Sequence, residues 1–276
     1  MRTIAVINRK GGCGKTTTAV GLAAALGEAG RRVLLVDLDP QGSASAWLGS
    51  GPNEERELFD AFVGTRELAS IAEASRAPGV DLVPASSWLV TVERALQVDL
   101  ALGVIRAMER LPQAWDAVIV DCPPTLGYLA SSALCGCREA IVPTAPHRLD
   151  LGGLEDVLAE MARIRLRLNP RLVLTGIVVS RMTRTKHART ALADLAAAHP
   201  GSVMDATIRD SIRVPEAAAV GLPITVHAPE SGVAGDVRAV AGEILLRDPD
   251  LPPDPPAPVR AAGVRRFVGR LVGQRS

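Results

Sequence analysis

Short apolar runs alternate with amphipathic helical stretches along most of this chain. The runs at 3–8, 33–37 and 117–121 are rich in β-branched residues, which is typical of strands buried on both faces of a parallel sheet. A glycine-rich turn follows the first run, and the apolar spacing behind that turn predicts a helix over 16–29. Strand, turn, helix and strand together form a βαβ unit, which requires parallel strands.

The same alternation continues to residue 247. Further strands are predicted at 80–84, 140–143, 172–180 and 203–208, and further helices at 90–111, 152–168, 186–198, 214–220 and 232–247. At least six strands alternating with helices predict an α/β fold, with a doubly wound, mostly parallel sheet and helices on both of its faces. No linker-like stretch interrupts 1–247, so we expect one domain.

The end of the chain differs in composition from the rest. Residues 248–258 are rich in proline and aspartate, which predicts an extended linker. Residues 259–276 carry five arginines and no acidic residue, and their apolar residues fall on one stripe of a helix. We therefore expect a basic amphipathic tail, which could bind an anionic membrane surface, bind DNA or dock on the body of the protein.

Charge and composition narrow the function classes. The net charge of +1 hides a body of 258 residues with 26 basic and 30 acidic side chains, so any DNA contact by that body requires a local basic patch. No apolar run is long enough to span a membrane, no signal peptide precedes the first strand, and none of the four cysteines forms a CxxC pair. We expect a cytoplasmic protein without a disulfide framework.

The turn after the first strand holds the candidate chemistry, in the sequence Lys10-Gly-Gly-Cys-Gly-Lys15-Thr-Thr. Glycines let successive backbone N–H groups point inward at phosphate oxygens, and the following helix N-terminus adds its positive dipole. Lys15 would reach the β and γ phosphates, and the Thr16 hydroxyl would bind Mg²⁺. Only three lysines occur beside 28 arginines, and two of them lie in this loop, which indicates a need for a compact ammonium group there.

The loop resembles that of the deviant Walker A ATPases, the group that contains the ParA partition proteins, MinD and the nitrogenase iron protein. The usual Walker A pattern has a glycine where Arg9 stands, and the form KGGxGKT replaces it. Further stretches that resemble ParA follow in order, covering the body of the chain to about residue 247. They are 33–43, 81–86, 116–124, 143–144 and 212–217.

The resemblance implies ATP and Mg²⁺ as cofactors and assigns roles by position. Lys10, Lys15 and Asp39 would be catalytic: Lys10 would reach the phosphates of a partner subunit in a nucleotide-sandwich dimer, and Asp39 would position the attacking water. Thr16 would bind the metal directly and Asp121 through water. The implied nucleotide-binding set is Lys10, Gly11, Gly12, Cys13, Gly14, Lys15, Thr16, Thr17, Ser180 and Arg209.

Alternatives stay open at three positions. Asp37 could be catalytic or could hold the loop that follows it. Ser180 could contact adenine or be an ordinary strand-end hydroxyl. Arg209 stands in a stretch where the family usually has a proline, which affects the contacts to the base.

A second surface carries the predicted DNA contacts. Arg184 and Arg189 lie in a run without acidic residues, where ParA proteins begin their non-specific DNA surface, and Arg213 matches a DNA-contacting arginine of the family. A dimer would double this patch, and phosphate contacts need no more than such a patch. The alternative is a solvated helix start.

The sequence therefore predicts a ParA-like ATP hydrolase, weak alone and stimulated by a ParB-like or analogous partner. It would form an ATP-dependent homodimer, bind non-specific DNA and be nucleoid-associated. A MinD-like ATPase that uses the C-terminal tail to bind membrane is the first alternative. A metabolic member of the superfamily such as an amidoligase is disfavoured, because the chain leaves no room for a substrate domain.

Overall fold

The computed structural model describes residues 1–49, 51, 57–94, 98–146 and 151–247. The predicted linker and tail, 248–276, lie outside the described residues. The strands are β1 (Arg2–Val6), β2 (Val33–Asp37), β3 (Glu73–Ala74), β4 (Val80–Val83), β5 (Ala117–Asp121), β6 (Glu139–Thr144) and β7 (Val173–Val179).

Helices lie between these strands and after the last of them. They are α1 (Lys15–Glu28), α2 (Ser43–Leu48), α3 (Glu57–Val63), α4 (Leu89–Arg94), α5 (Val98–Glu109), α6 (Tyr128–Gly136), α7 (Leu151–Arg167), α8 (Lys186–Ala198), α9 (Arg213–Ala219), α10 (Ile224–His227) and α11 (Gly232–Leu246), with a 3-10 turn at Leu68–Ile71.

One seven-stranded sheet organises the described part of the chain, in the order β3-β4-β2-β5-β1-β6-β7. All neighbouring pairs are parallel except the short edge pair of β3 and β4. The central strand β1 lies between β5 and β6, so its carboxyl end is flanked by the ends of two others. This architecture confirms the predicted doubly wound, mostly parallel α/β fold.

The sheet is covered on both faces. Along β1, Ile4 and Val6 pack into the layer that includes α1 and α11, whereas Ala5 packs into the layer that includes α5, α6 and α7. All three side chains are fully buried. Burying each large aliphatic side chain contributes about 1.5–3 kcal/mol, so the two layers stabilise the sheet and fix its carboxyl edge in place. No helix among the described residues has the length and apolarity required to cross a bilayer.

One predicted element differs from the structure. The helix predicted over 90–111 corresponds to α4 and α5, and its residues 95–97 lie outside the described residues. The strand predicted at 203–208 is wrong as a continuous ladder, because only isolated bridges join Val203 to Ile177 and Arg209 to Met182. Between these bridges the Glu243 carboxylate accepts a bond from the Ala206 N–H, which a regular ladder would direct at the Val179 carbonyl, and that carbonyl accepts from the Ile208 N–H instead.

The region between β2 and β4 holds elements that the sequence patterns did not predict. They are α2, α3, the 3-10 turn and β3, all of them short. Each is shorter than two full turns or contains two residues, so none presents enough periodic positions to be recognised.

Candidate functional site: a phosphate-binding cleft

A cleft of about 520 Å³ lies at the carboxyl ends of the central strands. Gly11, Gly12, Gly14 and residues 15–17 form one wall, and residues 208–212 with 214–215 form another. Asp39, Ser43, Pro124, Ser180 and Arg181 complete the lining. Ligands bind at this edge of open α/β sheets, where the strand order reverses on either side of the first strand.

The glycine loop has the backbone conformation that phosphate binding requires. Gly12 and Gly14 have φ angles of 75° and 88°, in the left-handed region that glycine adopts without strain. Gly14 is also the N-cap of α1, where no side chain caps the helix and no acidic residue occupies the first turn. The first N–H groups of α1, at the positive end of the helix dipole, can therefore donate to an anion in the cleft.

Side chains that follow β1 and β7 fix the loop. The Asn8 amide donates to the Pro143 carbonyl at 2.7 Å, and its oxygen accepts from the Lys10 N–H at 3.1 Å. The Ser180 hydroxyl donates to the Cys13 carbonyl. The loop is thus tied to β6 and to the end of β7 before any ligand binds, which lowers the entropy lost on binding.

The two loop lysines are placed differently. Lys15 is 7% exposed, lines the cleft, and its Nζ donates to the Lys10 carbonyl at 3.0 Å. Lys10 is half-exposed and is not among the described residues that line the cleft. One lysine therefore faces the cleft of its own chain, and the other stands beside it.

Thr16 and Asp121 form the candidate metal site. The Thr16 hydroxyl donates to Asp121 Oδ2 at 2.7 Å, while Oδ1 of Asp121 is buried and has no hydrogen-bond partner among the described residues. Burial raises the pKa of Asp121 well above its ordinary value, the nearby Asp37 charge raises it further, and the Thr16 hydrogen bond lowers it. A buried carboxylate with an unused oxygen beside a hydroxyl fits a hard cation such as Mg²⁺.

Asp37 and Asp39 have separate roles in the structure. Asp37 is fully buried, and its carboxylate accepts from the Ser45 N–H at 2.8 Å, the Ser45 hydroxyl at 2.7 Å and the Asp39 N–H at 3.2 Å. The Ser45 hydroxyl in turn accepts from the Ala85 N–H at 2.8 Å. Asp37 therefore holds the turn after β2, as one of its two predicted roles required.

Asp39 faces the cleft. Its Oδ1 accepts from the Gln41 N–H at 3.0 Å, which orients the carboxylate within the turn that follows β2.

Burial raises the pKa of Asp37 to about 6, although the hydrogen bonds from Ser45 lower it. The carboxylates at 37, 39 and 121 thus share one strongly anionic corner, which favours a metal ion there.

Ser180 and Arg209 line the cleft, but each polar group already has a partner. Ser180 is 1% exposed, and its hydroxyl is bonded to the Cys13 carbonyl. Arg209 Nε and Nη2 donate to the two oxygens of Asp236 at 2.6 and 2.7 Å, an ion pair that raises the arginine pKa. Contact with adenine remains a prediction for both residues; for Arg209 it would involve the backbone or the aliphatic stem.

Arg181 is a cleft residue that the sequence patterns did not single out for this role. Its φ angle is 53°, its Nη1 donates to the Gly12 carbonyl at 3.4 Å, and its Nε lies 3.5 Å from Asp210 Oδ1. The side chain therefore joins the glycine loop to the opposite wall. Its position directly after Ser180, a predicted nucleotide-binding residue, is the sequence feature that could have indicated a place in the cleft.

The predicted DNA-contacting arginines lie on another surface. Arg184 precedes α8, and Arg189 lies in the first turn of that helix. Both side chains are exposed, and neither forms an ion pair within the described part of the chain. Arg213 begins α9 and pairs with Glu216 at 2.9 Å. The bridge between Met182 and Arg209 joins the segments that lead into these two helices.

Comparison with known proteins gives a consistent family. Residues 1–174 match the family model described as an AAA domain. The chain is 34% identical over 260 residues to the chromosome partitioning protein ParA of Caulobacter vibrioides, covering 91% of this chain and 96% of that protein. It is 38% identical over 249 residues to the chromosome-partitioning ATPase Soj of Thermus thermophilus, covering 90% and 96%.

A solved structure with the same fold contains a nucleotide. Cobyrinic acid a,c-diamide synthase from Mycobacterium smegmatis with bound ADP and magnesium has a TM-score of 0.77 and 31% identity to this chain, covering 89% of this chain and 94% of that one. The ParA and Soj relatives share 34% and 38% of their residues with this chain over about nine-tenths of its length. The chain therefore belongs to the ParA/Soj family of P-loop ATPases.

Proposed function

We propose that this protein is a ParA-like ATPase that dimerises on ATP, binds DNA non-specifically and hydrolyses ATP when a partner stimulates it. In this role it would segregate or position DNA or another cargo. The observation that carries the proposal is the convergence of Lys15, Thr16, Asp39 and Asp121 on the edge of one preformed cleft. The ParA and Soj relatives support the partition role.

The residues of the cleft match the needs of phosphoryl transfer, which are charge neutralisation and positioning. The glycine-loop N–H groups and Lys15 would hold the β and γ phosphates. Mg²⁺, held by Thr16 and through water by Asp121, would neutralise charge on the phosphate oxygens. Asp39 would accept a hydrogen bond from the attacking water and orient it toward the γ phosphorus.

The position of Lys10 supports an ATP-sandwich dimer. Lys10 belongs to the phosphate loop and stands beside the cleft without lining it, which leaves open a contact with a nucleotide in a second subunit. Dimerisation on ATP would also bring two copies of the Arg184, Arg189 and Arg213 surface into one assembly. Doubling a weak phosphate-binding patch raises the affinity through effective concentration, which would make DNA binding depend on the nucleotide state.

Substitutions in the cleft test the hydrolysis mechanism. We expect Asp39→Ala to lower the hydrolysis rate at least about 100-fold while ATP still binds and dimers accumulate, because water orientation is lost and phosphate contacts remain. Lys10→Ala should bind ATP but remain monomeric by light scattering. Lys186→Ala, which removes an exposed lysine on α8, is the matched control. Wild-type hydrolysis in Asp39→Ala would contradict the assignment of the water-positioning carboxylate.

Binding assays separate the proposal from its alternative. The full-length protein should bind unrelated duplex DNA sequences alike, and more tightly with ATP than with ADP. Vesicles of anionic lipid form the second arm, because the basic tail predicted at 259–276 favours a MinD-like membrane ATPase instead. ATP-dependent sedimentation with vesicles, without DNA binding, would replace the partition proposal with the membrane one.

A further inference from the structure

Glu93 on α4 bonds to the segment that follows the candidate metal residue Asp121. Its Oε1 accepts from the Thr125 hydroxyl at 3.0 Å, and its Oε2 accepts from the Leu129 N–H at 3.0 Å. Both partners are more than 30 residues away in sequence. The carboxylate therefore fastens two points of one connection, the segment from β5 into α6, to a different helix.

The bond from the Leu129 N–H to Glu93 gives the first turn of α6 a hydrogen-bond acceptor. The N-cap of this helix is Gly127, which has no side chain to cap the free N–H groups of the first turn, and no acidic residue lies in that turn. Glu93 supplies the missing acceptor and places a negative charge at the positive end of the helix. A Cβ atom at position 127 would clash with Glu93 Oε1, so the glycine is what admits the carboxylate.

The fastened segment forms part of the cleft. It begins directly after Asp121, and Pro124, next to Thr125, lines the phosphate-binding cleft. β5 fixes one end of the segment through its hydrogen bonds to β1 and β2, and Glu93 fixes the other. The position of the cleft wall beside the metal residue is therefore set from both ends.

The helix that carries Glu93 is itself fixed. Leu89 and Val92 of α4 are buried in the core. The segment that leads into α4 begins at Ala85. The Ala85 N–H donates to the Ser45 hydroxyl, and this hydroxyl donates to the Asp37 carboxylate. One side of this short helix is thus connected to the network that holds the Asp39 turn, and the other side to the loop after Asp121.

We propose that Glu93 is a positioning residue for nucleotide hydrolysis, acting by holding residues 122–128 in the conformation that the cleft requires. This inference rests on the proposed ATPase function, and it assigns Glu93 no contact with the nucleotide. A displacement of the wall by a fraction of an ångström to 1 Å lowers the rate of an aligned reaction by about tenfold to 100-fold, with little change in ground-state binding.

The test compares four variants of the full-length protein by steady-state ATP hydrolysis, nucleotide affinity and hydrogen exchange. We expect Glu93→Ala to lower kcat about tenfold, with KM and nucleotide affinity within about twofold of wild type. Glu93→Gln should restore most of the rate, since its amide oxygen still accepts from the Leu129 N–H. Glu109→Ala, which removes an exposed glutamate at the end of α5, should match wild type.

Thr125→Val provides a milder disruption that leaves the cap of α6 in place. It should lower kcat less than Glu93→Ala does, and adding it to Glu93→Ala should lower the rate no further, because the two residues share one contact. Exchange of the backbone N–H groups at 122 and 125–129 should accelerate in Glu93→Ala and stay near wild type in Glu93→Gln.

The outcomes distinguish this inference from the function beneath it. Wild-type kcat in folded Glu93→Ala, or equal kcat losses in Glu93→Ala and Glu93→Gln, would overturn the role of Glu93 while leaving the ATPase intact. If Glu93→Ala does not fold, a wild-type kcat in Thr125→Val overturns it. A wild-type protein that hydrolyses no ATP under any condition overturns the proposed function, and this inference with it.

Discussion

The phosphate-binding cleft and the predicted DNA surface hold their charged groups in opposite ways. In the cleft, Lys15 and Asp121 are almost fully buried and hydrogen-bonded to neighbouring loop residues. On the predicted DNA surface, Arg184 and Arg189 are exposed, and the Arg213 side chain is 57% exposed beside Glu216. A buried, preorganised charge acts as part of a unit, whereas an exposed one contributes a small and separable amount.

This contrast has consequences for substitutions. Changes in the cleft should have large effects, because each group supports several others and water cannot replace it. Changes on the predicted DNA surface should have small, additive effects on DNA affinity that depend on salt. The two regions can therefore be compared by four measurements, beginning with the cleft lysine and ending with the exposed arginines.

The largest effect is expected for Lys15→Ala. The change removes charge-assisted hydrogen bonds to phosphate, each worth about 1.5–3 kcal/mol, so loss of two such bonds should weaken ATP binding by about 3–6 kcal/mol. Titration calorimetry with ATP measures this, and Lys186→Ala controls for the loss of a lysine at an exposed site. Retention of ATP affinity within a few-fold would show that the cleft does not act as a unit.

The second prediction concerns pH and the free energy of unfolding without nucleotide. Asp37 has a pKa of about 6 in the folded protein against 3.8 ordinarily, so the folded state binds the proton more tightly than the unfolded state does. The contribution of Asp37 to the free energy of unfolding should therefore fall by about 3 kcal/mol as pH rises from about 4 to about 6.

Asp37→Asn removes this titration while keeping the shape of the side chain. Its unfolding free energy, measured with urea across the same pH range, should change less steeply than that of wild type by about the same amount. Parallel slopes for wild type and Asp37→Asn would contradict the buried site.

Gly14 and Gly11 provide a matched pair within the loop. Gly14 has a φ angle of 88°, and a Cβ atom there would lie 2.8 Å from Ser180 Oγ, whereas a Cβ at Gly11 would meet nothing within 4 Å. We expect Gly14→Ala to destabilise the nucleotide-free protein by about 1–2 kcal/mol, and Gly11→Ala to leave its stability near that of wild type in thermal assays. Equal behaviour of the two variants would show that the packing of Gly14 against Ser180 does not restrict the loop.

The smallest effects are expected for substitutions on the predicted DNA surface. Arg184→Ala and Arg189→Ala should each weaken DNA binding a few-fold on any sequence and reduce the slope of log affinity against log salt by about 1. Arg213→Ala should do less, because Glu216 already neutralises part of its charge. Glu216→Gln should instead strengthen DNA binding slightly, and nucleotide affinity should stay constant in all four variants. A loss confined to one DNA sequence would indicate base readout and not phosphate contact.

Local patterns in the sequence were sufficient to predict several elements and the core of the site. β1, β2 and β5 follow from buried β-branched runs, and α8 spans the predicted residues 186–198, since a helix with a Thr185 N-cap carries its own boundary signals. The glycine loop was predictable because its conformation requires glycine at fixed positions and its chemistry requires lysine and threonine beside them.

Contacts between residues far apart in the sequence became known only from the folded chain. That Asp37 holds Ser45 and Asp39, that Arg209 is bound to Asp236, and that Glu93 fastens Thr125 and Leu129 could not be read from spacing. The strand predicted at 203–208 was wrong for the same reason, because Glu243 from α11 accepts a bond from the Ala206 N–H that a ladder would need. Hydrogen bonds between distant residues depend on how helices dock on the sheet, and that docking is set by packing that no local pattern encodes.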